Sequence, residues 1–93
     1  MERKEIESAV EAVLFASGEP VELKRLCESL DLARPAVERA LHDLRDHYAY
    51  ERRGIRLVCM EDAWQLCSAP EYADVIRQTF EIRKPAKLSQ PAL

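Results

Sequence analysis

The chain has 93 residues, 47% of them hydrophobic and 33% charged, which suits one small domain with a modest core and is too short for two. With 17 acidic against 14 basic residues the formal net charge is -3, a balance unlike the basic excess of nucleic-acid readers. No run approaches the roughly 18 apolar residues of a membrane helix, and the amphipathic start MERKEIESAVEAV is no signal peptide, so a soluble cytoplasmic protein without membrane contact is expected.

Folding at this size buries only about 60–65% of the unfolded chain's surface, which leaves stability marginal and makes a partner surface useful. The cysteines Cys27, Cys59 and Cys67 are odd in number and form no CxxC pair. Reduced, structurally inert thiols are therefore expected.

In EIESAVEAVLFASGEP, Ile6, Ala9, Val10, Val13 and Leu14 recur at helical spacing, with Glu5, Glu7 and Glu11 on other faces. Gly18 can close this first helix in the left-handed conformation, and Pro20 cannot continue it. A second, short helix follows in VELKRLCESLDL, lined by Leu23, Leu26, Cys27 and Leu30. Glu22 stands where Ser or Asp would cap it better, a deficit of about 1 kcal/mol. After a break at Asp31 to Ala33, Pro35 marks the first turn of a third helix whose buried stripe is Val37, Leu41, Leu44 and Tyr48.

Beyond Gly54 the period becomes two. IRLVCM and WQLCS read as a hairpin around the polar tip Glu61-Asp62-Ala63, with Trp64 as core anchor. Pro70 ends the second strand, and EYADVIRQTF returns to helical spacing through Tyr72, Val75, Ile76 and Phe80. From Arg83 the tail RKPAKLSQPAL, with two prolines, reads as a linker. The expected architecture is mainly α with a small β-hairpin, a winged helix-turn-helix over residues 1–82, with residues 83–93 as a linker or the start of a second winged-helix domain.

IESAVEAVLFASGEPVELKRLCESL, GIRLVCMEDAWQLCSAPEYADVIRQ and KPAKLSQPAL together resemble the N-terminal part of segregation and condensation protein B, ScpB. The resemblance spans essentially the whole chain. Its most specific pieces are EAVLFASGEPV, the start of the first hairpin strand, GIRLV, and WQL followed by PEYA; Asp62-Ala63 departs from the Gly-Gly-like tip of many relatives and leaves the turn type open.

The resemblance implies a non-enzymatic accessory subunit of the bacterial SMC complex, acting in chromosome condensation and segregation. In that family two winged-helix domains occur in tandem, so the sequence up to LSQPAL is expected to be a fragment or a shortened protein. The first domain pairs two ScpB copies, and the dimer holds the kleisin ScpA and through it SMC. Because the second domain makes most family contacts to ScpA, this chain is expected to bind ScpA weakly or not at all.

The residues agree with a protein-binding role. From Arg34 to Tyr50, Arg34, Arg39 and Arg45 are balanced by Glu38, Asp43 and Asp46, and the tip Glu61-Asp62 is acidic, so the elements that read DNA in a winged helix lack net positive charge. Arg52, Arg53 and Arg56 are the features that favour the alternative, a DNA-binding transcription regulator. His42 and His47 lie about 140° apart on a helix, and Gly18 and Gly54 are the only glycines. Neither a metal site, a phosphate loop, a cofactor site nor a catalytic constellation is expected.

Two hairpin registers are open. Pairing Met60 with Trp64 places Val58, Met60, Trp64 and Leu66 on one face; pairing Met60 with Ala63 places Ile55, Leu57, Cys59, Trp64 and Leu66 together and Val58, Met60 and Cys67 opposite. Either way both faces are largely apolar, although a hairpin covering one core should be polar outside. A homodimer interface including Val58, Met60, Trp64 and Cys67 is expected, unless the fourth helix or the tail folds back over that face.

Overall fold

A computed structural model describes the backbone of residues 1–89 and the side chains of residues 1–81. Helix α1 (Arg3–Ser17) leads through a short strand β1 (Val21–Glu22) into α2 (Leu23–Leu30) and α3 (Arg34–Tyr50). Strands β2 (Ile55–Met60) and β3 (Ala63–Ser68) form the ribbon, and a single 3-10 turn, Pro70–Tyr72, precedes α4 (Ala73–Ser89). The sheet is antiparallel in the order β1-β3-β2, and the whole is a winged helix. Strand β1 escapes sequence reading because two residues after a proline carry no period; it is held because Val21 pairs with Trp64 and Glu22 with Ala63.

Each boundary has a local cause. The Glu2 amide donates to Glu5 Oε1 at 3.0 Å at the start of α1, and Gly18 ends the helix at φ +75°, a conformation that is costly for residues with a Cβ. Glu22 makes no side-chain cap for α2; the Leu23 amide donates instead to the Asp62 carbonyl at 2.9 Å, so the ribbon tip satisfies one of that helix's free amides. The tip is a two-residue loop, Glu61 at φ +48° and Asp62 at φ +71°, between paired Met60 and Ala63. Two successive left-handed residues make the primed turn that suits a twisted ribbon, here built without glycine.

The core is one cluster: Ile6, Val10 and Leu14 from α1, Leu23 and Leu26 from α2, five residues of α3 from Val37 to Tyr48, and Leu57 and Trp64 from the ribbon. Val13, expected in the α1 stripe, lies outside it and is exposed, because the face that α1 turns inward holds only the Ile6, Val10 and Leu14 row. Among the described residues helix α4 contacts the Pro70–Tyr72 turn before it. It runs on to Ser89 through the stretch expected to be a linker from Arg83; the last four residues of that stretch, 90–93, lie outside the described residues.

Candidate protein interface

The helix that would read DNA is neutralised on its own surface. Arg34 pairs with Glu38 at 3.3 Å and with Asp62 at 2.9 Å, Arg39 with Asp43 at 3.6 Å, and Arg45 with Asp46 at 3.7 Å. Arg56, from the basic cluster after α3, is taken by Glu71 at 2.8 Å. Phosphate binding needs cations left available to exchange their counterions, and only Arg52 and Arg53 of that region make no ion pair among the described residues.

The ribbon register is Met60 with Ala63. Of the two faces this creates, Leu57 and Trp64 go into the core, while Met60 stands 47% exposed with Val58 and Cys67 half-buried on the other side. Trp64 is only 3% exposed, stacked edge-on by the His42 ring at 5.5 Å, with the Arg45 guanidinium 5.9 Å from its ring centre. Of the four residues expected at an interface, Trp64 is therefore a core residue, withdrawn by the register that turns it inward, whereas Val58, Met60 and Cys67 lie on the outer face. Cys27 is half-buried and Cys59 exposed, and all three thiols are free.

A second apolar surface, not singled out from the sequence, adjoins this one. Phe15 projects from α1 at 77% exposure, and Ile55 and Leu66 lie beside it at the open end of the ribbon. These three side chains line two shallow depressions, of about 290 and 270 Å³, one bordered by Gly18 and Cys67 and the other by Ser8, Ala12 and Tyr48. Cys67 thus joins this surface to the outer ribbon face. The missed signal was the run Ala12-Val13-Leu14-Phe15-Ala16, five apolar residues in a row, which a helix buried on one side cannot all hide.

At the edge of the surface Tyr48 is 7% exposed, and its hydroxyl donates to a carboxylate oxygen of Glu11, tying α3 to α1. Burial first, then the hydrogen bond and charge of Glu11, push the Tyr48 pKa up to about 12. The arrangement offers apolar area to another protein.

The sequence matches the family model of the segregation and condensation complex subunit ScpB over residues 8–93. It is 36% identical to segregation and condensation protein B of Alkaliphilus oremlandii over the whole chain and half of that relative, and 35% identical to that of Ruminiclostridium cellulolyticum over 99% of the chain and 48% of that relative. The chain spans about half the length of these curated relatives. Among solved structures it superposes on a dimer of the ScpB N-terminal domain complexed with ScpA peptide, with a TM-score of 0.77 at 26% identity, covering 82% of this chain and 95% of that one. ScpB from Mycobacterium tuberculosis shares the fold, with a TM-score of 0.86 at 18% identity over 90% of this chain and 52% of that one. The complexed N-terminal domain runs against the expectation that ScpA is left to the second domain.

Proposed function

This chain belongs to the ScpB family, and from that membership we propose that it is the self-pairing domain of a non-enzymatic accessory subunit in a bacterial SMC-ScpA-ScpB complex, working in the cytoplasm in chromosome condensation and segregation. Its action is to hold proteins together: a second copy of itself, a segment of the kleisin ScpA, and SMC through ScpA. The observation that carries this reading is the apolar surface around Phe15, left exposed on a domain whose α3 arginines are spent on internal ion pairs. The outer ribbon face, with Val58, Met60 and Cys67, is proposed as a continuation of the same interface. A similar N-terminal domain that crystallised as a dimer with ScpA peptide supports both partners.

Light scattering during gel filtration tests the reading. The chain alone should elute at twice its monomer mass of 10.7 kDa, and ScpA of the same organism should raise that mass. A monomer that ignores ScpA would contradict it, and tight salt-sensitive binding of duplex DNA would favour a transcription regulator instead.

A further inference from the structure

We propose that the second copy docks on the plate formed by Phe15, Ile55 and Leu66, each protomer inserting its Phe15 into a depression beside the Phe15 of its partner. This rests on the self-pairing read above and adds where the copies meet. Single exposed apolar side chains are ordinary, but a contiguous apolar surface marks an interaction site. Here a large aromatic side chain, 77% exposed, stands next to Ile55 at 37%.

Two features select a copy of the same chain as the occupant. A two-fold contact uses one patch on both partners, so that patch must carry projection and hollow together. Phe15 is the projection, and the depressions flanking it are the hollows, rimmed by the small residues Ser8, Ala12 and Gly18 that let a second backbone come close. The patch must also tolerate itself electrically. Glu11 is the single charged residue lining either depression, and its carboxylate is held by the Tyr48 hydroxyl, so a self-pairing brings only this one charge from each copy to the contact and a partner selected by charge finds little to pair with.

The required area is modest. A stable interface buries about 800 Å² per partner, about an eighth of this chain's 6796 Å² surface. Ile55 and Leu66 share the ribbon face of Leu57 and Trp64, and Val58, Met60 and Cys67 lie on the other, so the plate meets the outer face only at Cys67, which borders one depression.

The test is the monomer–dimer equilibrium of Phe15→Glu, Phe15→Ala and Met60→Asp, by sedimentation, with circular dichroism on each. Phe15→Glu should weaken pairing by about thirtyfold or more, as expected for a central interface aromatic, and Phe15→Ala should weaken it less, both with an unchanged fold. Met60→Asp, farther out along the ribbon, should have the smaller effect. A wild-type chain that never pairs would sink the proposed function itself. A wild-type dimer that Phe15→Glu leaves intact would overturn only the docking plate, and so would a Phe15→Glu variant that pairs normally but no longer takes up ScpA. Loss of folding in Phe15→Ala would overturn it too, because Phe15 would then belong to the core.

Discussion

Arg34 at the start of α3 and Asp62 at the ribbon tip, 28 residues apart in the chain, are joined by an ion pair of 2.9 Å between Nη2 and Oδ1. The same Asp62 presents its carbonyl to the Leu23 amide, so the tip is fastened by its side chain to α3 and by its backbone to α2. The hydrogen bond and charge of Asp62 hold the Arg34 guanidinium above its ordinary pKa. As an exposed pair, open to solvent screening, it contributes little to stability. Its effect is on the surface: the wing is drawn back and the first arginine of α3 is spent.

DNA binding is accordingly expected to be negligible at physiological salt. Fluorescence anisotropy with a labelled random duplex checks this, and a submicromolar dissociation constant that weakens steeply with added salt would contradict it.

Burial of Tyr48, with the hydrogen bond and charge of Glu11, makes stability depend on alkaline pH. The ordinary tyrosine pKa of 10.0 is raised to about 12 in the folded protein, so between these values the folded state holds a proton that the unfolded state has released. The contribution is complete below pH 10 and is lost as pH rises through 12. Tyr48→Phe should cost about 1–2 kcal/mol at neutral pH, and its deficit relative to wild type should shrink across that window in urea unfolding. A deficit that does not change with pH would refute the assignment.

Much of this was legible in the chain and some was not. The four helices and the ribbon follow from period and from the breaks at Gly18, Pro20, Pro35 and Gly54, because those signals are local. The register was not, since both pairings bury comparable apolar sets; the left-handed pair Glu61 and Asp62 settles it by forming a two-residue turn. Val58, Met60 and Cys67 share an outer face in one register only, whereas Trp64 suits a core anchor by size and an interface residue by the other register. Phe15 stayed hidden because it sits within an apolar run whose inward members, Val10 and Leu14, absorb the helical reading. The length of α4 was obscured by Pro85, which composition reads as a stop.

The glycine-free turn is a place to gain stability. Glu61 holds a left-handed conformation that disfavours most side chains by about 1–2 kcal/mol, while Asn tolerates it better. Glu61→Asn should therefore raise the melting temperature by a few degrees for a gain of about 0.5–1 kcal/mol, with Asp62 and its contacts retained. A lower melting temperature would mean that Glu61 makes a contribution beyond its backbone.

The thiols report on the interface without any substitution. Cys59 is exposed and should be labelled first by a thiol reagent, with Cys27 slowest because it packs against the core. Cys67, at the border of the Phe15 plate, should become slower as protein concentration rises, while Cys59 keeps its rate. Equal concentration dependence at both cysteines would argue that self-association does not involve this end of the ribbon.

The central claim is that this domain pairs with itself, and the most direct measurement is its molar mass in solution by light scattering from micromolar to submillimolar concentration. The account predicts a mass that reaches and holds at twice the 10.7 kDa monomer, without growth to larger species, because a two-fold contact closes on itself. A mass that stays at 10.7 kDa throughout would contradict it.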